Sequence, residues 1–341
     1  MKYILNAVLL ISILSCSNNH DKNTIQNSNE LNNQLTSQPK VDSFKMNYLF
    51  KEDDVYRYKI TTLSTTSQEI LSDSSLYTAS KQKVEYSIKL SVEKVDTVGN
   101  AKINIIVESI DVNGSVNGQE VVYNSRLIQS TQERMMFAHY EAIKKKRFSI
   151  DITNTGDVIK IYNSEAIVEE LLVIQQQSNN TTAKQKLELN ENFVVSVLRP
   201  LSEQIFRNFP EENVSVNYSW NDKYFSQYAL FQIENIATFQ IIDVSSENTD
   251  SIVSINASLA INWKGENKAT ENGMSFYFHP PVVSGNGSIQ FNKKQGLISY
   301  SNTSTNMQME TDISGVDQKN TPFKAKRTDN TTNTNIVELI N

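Results

Sequence analysis

Alternation of apolar and polar residues with a period of two is the feature that most limits what this chain can fold into. From Lys83 to Glu93 every second residue is apolar, and the residues between them are charged or serine. Successive side chains of a β-strand point to opposite faces, so this stretch has one apolar and one polar face. It therefore predicts a half-buried strand of an antiparallel sheet.

The same alternation recurs upstream and downstream of this stretch. Tyr56 to Ile60 precede it, and Ala101 to Val107 follow it after a polar turn at 96–100. Phe148 to Ile161 contain two further short alternating stretches around Gly156. Polar turns containing glycine between alternating stretches are typical of β-hairpins.

A second region repeats this layout. Phe231 to Trp263 contain two alternating stretches around a polar turn. Ile289 to Ile298 then show strand, polar turn, glycine and strand in the same order as Ile150 to Ile159. These parallels predict two related β halves; chance similarity between short hairpins is the alternative, because turns use few residue types.

Between the two regions the spacing changes to that of a helix. From 165 to 177 apolar residues recur three and four positions apart, and residues 184–207 continue this stripe. Pro200 is expected to kink the second segment or split it in two. A helical stripe beside one-faced sheets predicts a cover for the apolar face of the sheet.

The predicted fold class is therefore mainly β (α+β). We expect two antiparallel, curved β halves, 44–162 and 211–341, joined and covered by a helical insert at 163–210. A chain of this length can bury a sizeable core. Residues 44–341 are expected to form one compact unit.

The amino-terminal residues predict export and lipidation. Lys2 precedes an apolar run of roughly a dozen residues that ends in Ile13-Leu14-Ser15-Cys16, the only cysteine of the sequence. A positive residue, an apolar run and a small residue describe a secretory signal. The last four residues resemble a bacterial lipobox, which implies a lipoprotein signal peptide at 1–15 and an acylated, palmitate-bearing Cys16. Two or more acyl chains anchor a protein stably.

Residues 16–43 are rich in Asn, Ser, Gln and Thr. Such a segment buries too little apolar surface to offset its ordering entropy, so a flexible tether is predicted. The expected location is the bacterial cell envelope, with the outer membrane favoured and its periplasmic or surface side left open.

Charge argues against nucleic acid as a partner. Loss of residues 1–15 removes Lys2 and no acidic residue, so 32 basic against 38 acidic side chains become 31 against 38, a net charge of −7. Nucleic-acid binding depends on clustered cationic side chains, and the one concentrated run is Lys144 to Arg147. This run predicts either a solvated segment or contact with an anionic surface.

No catalytic, cofactor-binding or metal-ligating site is predicted. The three histidines, His20, His139 and His279, share no ligand spacing, and no nucleophile elbow or phosphate loop is present. An aromatic stretch offers the candidate ligand-cleft residues Trp220, Tyr224, Phe225 and Tyr228. Aromatic residues also pack in cores and stack on sugars, and both alternatives stay open.

Three passages carry a family resemblance: Val55 to Thr62, Ile150 to Val158, and Phe209-Pro210 followed by Val216 to Trp220. In this order they resemble a family of uncharacterised bacterial lipoproteins, a domain of unknown function, over about residues 44–340. The resemblance implies no catalytic residues. In outline, curved sheets with covering helices are also similar to the half-barrel carriers of lipids and lipoproteins in the bacterial envelope.

The expected function is non-enzymatic binding of a hydrophobic ligand or an envelope partner by a lipid-anchored protein. The first alternative is a structural or interaction module that uses exposed sheet edges for strand addition. The second is a hydrolase, which requires two carboxyl groups facing each other in a cleft.

Overall fold

The computed structural model describes residues 43–228, 230–247, 250–271, 273–316 and 321–340. Cys16, His20, the predicted signal peptide and the predicted tether lie outside the described residues. Within the described part, no helix is both long enough and apolar enough to cross a membrane.

The described part consists mainly of β-strands. Those of the first half are β1 (Val55–Leu71), β2 (Ser75–Val95), β3 (Ala101–Val116), β4 (Gln119–Asn124), β5 (Arg147–Ile152) and β6 (Val158–Tyr162). Those of the second half are β7 (Ser219–Tyr228), β8 (Phe231–Glu247), β9 (Asp250–Lys264), β10 (Lys268–Glu271), β11 (Met274–Phe278), β12 (Val282–Asn292), β13 (Leu297–Val316) and β14 (Pro322–Leu339).

All 14 strands belong to one sheet in the order β6-β5-β3-β2-β1-β14-β13-β12-β9-β8-β7, with β4 paired to β3 and the β10–β11 hairpin paired to β13. Each named strand pair is antiparallel. The predicted mainly β, antiparallel fold class is confirmed. The two halves join edge to edge through β1 and β14 into a continuous sheet.

The two halves share their strand order. In the first, β1, β2, β3, β5 and β6 are successive neighbours, and in the second β7, β8, β9, β12 and β13 are. Each half has an insertion between its third and fourth strand of this series: β4 with two helices in the first, the β10–β11 hairpin in the second. The hairpins at Gly156 and Gly296, which the sequence predicts to be related, join β5 to β6 and β12 to β13. These are the last two strands of each series.

Five helices accompany the sheet in the described part: α1 (Thr131–Met136), α2 (Ala138–Ile143), α3 (Glu165–Ile174), α4 (Ala183–Phe193) and α5 (Arg199–Ile205). The predicted break near Pro200 is present, since a π-helical turn at Val194–Leu198 separates α4 from α5 and Pro200 lies in the first turn of α5. Proline is tolerated there because the first turn has no intrahelical acceptor for its amide.

The sheet curves around α5. This seven-residue helix contacts both β6 and β14, which are five places apart in the strand order. We call the side of the sheet that faces α5 the inner face and the opposite side the outer face. In the first half the inner face is apolar, and the helices bury their apolar stripe in the same core, with Ile103, Ile105 and Ile167 almost inaccessible.

A segment before β1 closes one end of this core. The ring of Tyr48 stacks on Phe50 and Phe209, with centroids 5.5 and 5.3 Å away. Its hydroxyl accepts a hydrogen bond from the Arg207 amide at 2.8 Å. Gly156 sits beneath this contact with φ +102°, and a Cβ there would lie 2.1 Å from the Arg207 carbonyl oxygen. The turn therefore requires glycine for both conformation and space.

Candidate ligand-binding face

Midway along the strands of the second half, the inner face changes from apolar to polar. The side chains there are hydroxyls and amides, and all are buried. We call this set the inner polar belt: Asn235, Ser301, Thr303, Thr305, Thr331, Asn333 and Asn335.

Strand register brings the belt together. Thr303 lies opposite Asn335 and Thr305 opposite Asn333 across the β13–β14 pair. Directly opposed residues on one face have Cβ atoms about 4.5–5.5 Å apart. On the other side of β14, the Thr62 hydroxyl donates to Asn335 Oδ1 at 2.9 Å. The belt is thus a continuous patch across β13, β14 and β1, while Asn235 lies apart from this patch on β8, three places from β13 in the strand order.

A glycine makes room for the belt on β12. Gly287 pairs with Thr303, and a Cβ at this position would lie 2.6 Å from the methyl group of Thr303. Glycine allows close approach where any side chain would collide. The absence of a side chain at 287 therefore lets the threonine take its place on the inner face.

Several belt atoms have no hydrogen-bond partner among the described residues. They are both side-chain atoms of Asn333, the hydroxyls of Ser301 and Thr303, and Oδ1 of Asn235. An unsatisfied buried polar group costs about 1–3 kcal/mol, and native proteins contain few of them. Four of these atoms, on Ser301, Thr303 and Asn333, lie together on the neighbouring strands β13 and β14, which makes this patch the candidate binding surface.

Apolar side chains border the belt at both ends. Towards Ile298 and Ile241 the strands enter the main core. Towards the other end, a small cluster contains Phe231, Ile233 and Met309, with Trp263 and Phe278 packed against it. A molecule seated on the belt would therefore meet hydroxyl and amide groups in the middle and apolar groups on either side.

The belt extends onto less buried residues of β1. Ser64 lies opposite Asn333 and Thr66 opposite Thr331, and both β1 residues are half-buried. Thr66 also shares a hydrogen bond of 2.6 Å with Ser80 of β2. Ser64 and Thr66 thus lie between the solvent-accessible part of β1 and the buried belt, and both are polar.

A buried charged group lies on α5. Arg199 donates from Nη1 to Glu203 Oε1 at 3.2 Å, while Glu203 Oε2 has no hydrogen-bond partner in the described part. Burial raises the pKa of Glu203 to about 8; the Asp222 carboxylate adds to this rise, and Arg199 and Arg207 oppose it. Glu203 is only 7% exposed, so its carboxyl group is withdrawn from solvent.

Register places three of the four predicted cleft aromatics, Trp220, Tyr224 and Tyr228, at positions on one face of β7 and Phe225 on the other. Trp220 stacks on Phe239 with centroids 5.3 Å apart and donates from Nε1 to the Asn208 carbonyl at 3.0 Å. Tyr224 is buried and lies opposite Asn235 of β8. Phe225, one residue further, points to the other face of β7 and is half-buried. Tyr228 pairs with Phe231 at the end of β7.

The basic run at 144–147 is partly neutralised within the protein. Lys144 Nζ lies 2.7 Å from Glu141, and Lys146 Nζ lies 3.3 Å from Glu170. This agrees with the solvated alternative more than with an anion-binding patch, because two of the four cations already have carboxylate partners.

The two histidines in the part of the chain that the structure describes have different neighbours. His139 packs on Phe193, and burial lowers its pKa, while His279 Nε2 lies 2.9 Å from Asp312. Across the described ranges, no group of three or more His, Cys, Asp or Glu side chains could hold a metal ion.

Sequence reasoning missed the inner polar belt. Its β14 members lie in the stretch Thr328 to Asn335, which consists of Thr, Asn and Asp alone. Threonine favours strands, but this stretch has no apolar alternation to mark a face. Its unusual composition is the signal that could have indicated a functional strand.

Comparison with known proteins gives a family and a set of distant folds. A family model described as "Family of unknown function (DUF6263)" matches residues 98–298. No curated protein sequence matches the chain.

Among solved structures, one titled for lipid–protein interactions in lipovitellin is similar over 86% of this chain, with 11% identity and a TM-score of 0.41. This chain spans a quarter of the lipovitellin chain (25%). An outer membrane channel from Pseudomonas putida F1 matches over 88% of this chain and 100% of its own, with 10% identity and a TM-score of 0.23. Scores at this level assign neither an activity nor a ligand to this chain.

Proposed function

Because the chain belongs to this family of unknown function (DUF6263), whose description supplies no activity, we propose from the geometry that it is a non-enzymatic binding protein that holds an amphipathic ligand against the inner polar belt. The observation that carries this proposal is the run of buried hydroxyl and amide atoms without partners, bordered by apolar side chains.

The chemistry of the belt defines the ligand. Hydroxyl and amide groups both donate and accept hydrogen bonds, and the charged side chain next to them on the inner face of β14, Asp329, is already paired with Arg327, Nε and Oδ2 lying 2.8 Å apart. The polar part of the ligand is therefore uncharged, such as an ester, amide or hydroxyl group. The apolar cluster around Phe231 and Met309 suits an alkyl portion. A hydrophobic molecule with a neutral polar head fits both requirements.

The second part of the proposal is the location. The signal-like segment and Cys16 support a protein that is exported and anchored by acyl chains at the cell envelope, with the outer membrane favoured. Residues 16–43 would serve as its tether, followed by the two β halves and the insert as one unit. Replacement of Cys16→Ala should move the protein from the membrane to the soluble fraction; unchanged membrane association would contradict acylation at this residue.

Native mass spectrometry of gently purified protein tests the ligand. We expect an adduct of lipid-like mass, reduced in the variants Asn333→Leu and Thr303→Val, which replace polar belt atoms by apolar ones. The control is Thr332→Leu, because residue 332 precedes Asn333 on the same strand, is exposed and points to the outer face.

The two belt variants separate binding from folding. Thr303→Val conserves side-chain shape, so loss of the adduct with an unchanged melting temperature or a higher one supports the belt as the site. An adduct-free mass for the wild-type protein, together with no binding of a fluorescent neutral lipid, would overturn the proposal.

A second candidate function is contact with an envelope protein at the sheet edge formed by β4. Within the described part β4 pairs only with β3, and Val122 on it is 64% exposed. The loop that follows exposes Leu127 and, completely, Ile128. Exposed apolar patches mark interaction sites. A photo-crosslinking residue at 128 should give one recurring protein adduct in intact cells, and a residue at Lys83 on the outer face should not.

A further inference from the structure

The outer face of the second half contains a polar groove that the inner-face site does not use. It has a volume of about 780 Å³ and crosses β7, β8, β9, β12, β13 and β14. We call it the outer groove; its lining residues have short hydroxyl or amide side chains, apart from Ala257 and Gly287.

Register orders the groove residues into two rows that run across the strands. One row joins Ser219, Gln240, Asn256, Ser288 and Asn302 as successive cross-strand partners. A parallel row, two residues further along each strand, joins Thr238, Ser258, Asn286, Ser304 and Thr334. Neighbouring members of a row are therefore separated by the strand spacing of about 4.8 Å.

Four amide side chains in these rows have no protein partner in the described residues: Gln240, Asn256, Asn286 and Asn302. Three of them are exposed and Asn302 is half-buried, so all four are accessible to a ligand. Each amide offers one acceptor oxygen and two N–H donors. The groove thus presents a regular array of donors and acceptors to solvent.

The described groove lining carries no charged side chain. The outer face of the first half is different, because Lys59 and Lys83 both pair with Glu85 there. Phosphate, sulfate and carboxylate groups are recognised by cationic side chains, which the described lining lacks. An uncharged ligand that both donates and accepts hydrogen bonds along its length fits this groove.

We propose that the outer groove binds an uncharged, linear oligosaccharide that lies across the strands. Its hydroxyl groups are both donors and acceptors, matching the amides and hydroxyls of the rows. The length of one pyranose unit in an extended chain is close to the strand spacing, so successive sugars meet equivalent positions on successive strands. The oligosaccharide would contact the side of the sheet opposite to the amphipathic ligand, and the two sites are independent.

Calorimetric titration tests this proposal on the full chain, in a detergent without a sugar head group. The probes are linear hexamers of β-1,4-linked glucose and of β-1,4-linked N-acetylglucosamine, which distinguish a plain hydroxyl chain from an amide-bearing one. The double variant Asn256→Ala, Asn302→Ala should weaken binding of the preferred hexamer at least about tenfold, since it removes two hydrogen-bonding side chains.

The control is Lys83→Ala on the charged part of the outer face, which should bind as the wild type does. All three substituted side chains are at least partly exposed, so the variants are expected to fold. Binding of neither hexamer at millimolar concentration would overturn the proposal. Equal binding by the wild type and the double variant would do the same, and so would a preference for a polyanionic oligosaccharide.

Discussion

The two halves of the sheet have the same strand order but differ in the chemistry of their two faces. In the first half the inner face is apolar and packed with the helices, and the outer face carries ion pairs such as Lys59–Glu85, with Nζ and Oε1 2.8 Å apart. In the second half the inner face holds the inner polar belt, and the outer face holds the uncharged outer groove.

This difference separates what the backbone determines from what the side chains add. Antiparallel neighbours need only paired backbone groups and turns of suitable length, and both halves provide these. The first half uses its inner face for burial, which stabilises the fold. The second half leaves hydrogen-bonding groups on both faces. On the buried side these groups cost free energy of folding, and on both sides they are suited to recognition of a ligand. In the function we propose, the first half is the scaffold and the second half is the recognition surface.

Truncation of the scaffold core should have the largest effect. Ile103 of β3 is completely buried in the first half, so Ile103→Ala is expected to lower the free energy of unfolding by about 2–5 kcal/mol. Urea denaturation measures this loss. Lys102→Ala, one residue earlier on the outer face, should cost about 0–1 kcal/mol because the contacts it removes, an ion pair with Glu93 and a cation–π contact with Tyr162, are partly exposed. A loss below about 1 kcal/mol for Ile103→Ala would show that the helices do not close over this face.

The helix between the halves should make stability depend on pH. Glu203 binds its proton more tightly in the folded state, where its pKa is about 8, than at its ordinary value of 4.5. The folded protein therefore holds a proton that the unfolded chain releases, and stability falls as pH rises between these values. For one proton the slope approaches about 1.4 kcal/mol per pH unit.

The variant Glu203→Gln keeps the shape of the side chain and removes the proton. Its free energy of unfolding should change less between pH 5 and pH 8 than that of the wild type, as measured by urea denaturation at each pH. Glu85→Gln, on the outer face of the first half, is the matched control and should not flatten the profile in this range, because contacts with Lys59 and Lys83 hold the pKa of Glu85 below its ordinary value. Identical profiles for the wild type and Glu203→Gln would contradict a proton on Glu203.

The sequence predicted the scaffold better than the recognition surface. Alternation at 83–93 identifies β2 directly, and the expected turn glycine Gly156 adopts a positive φ. Apolar periodicity also located the helical insert, because burial of one stripe constrains every third or fourth residue. These features arise from local patterns that the chain carries in consecutive residues.

The strand that joins the halves illustrates what local patterns miss. From Thr328 to Asn335, β14 carries Thr, Asn and Asp on both faces, so no apolar alternation distinguishes the inner from the outer side there. The groove rows are equally invisible in sequence, since Asn256 and Asn302 become near neighbours only through the register of three strands. The short helix α1 did have a readable signal, the capping box of Ser130 and Glu133.

The smallest expected effect is the most direct test of the difference between the two inner faces. Thr303→Val exchanges an unpartnered hydroxyl for a methyl group at nearly constant volume. If the inner polar belt is kept for a ligand, removal of the unsatisfied group should raise the free energy of unfolding of the ligand-free protein by about 1 kcal/mol. A gain in stability accompanied by loss of binding is expected where a site is built at the expense of the fold.

Asn302→Ala, the preceding residue on the outer face, should change stability by less than about 0.5 kcal/mol. Urea denaturation of the wild type and the two variants after delipidation measures these changes. A loss of stability in Thr303→Val would mean that this hydroxyl stabilises the fold, as the side chains of the first half do.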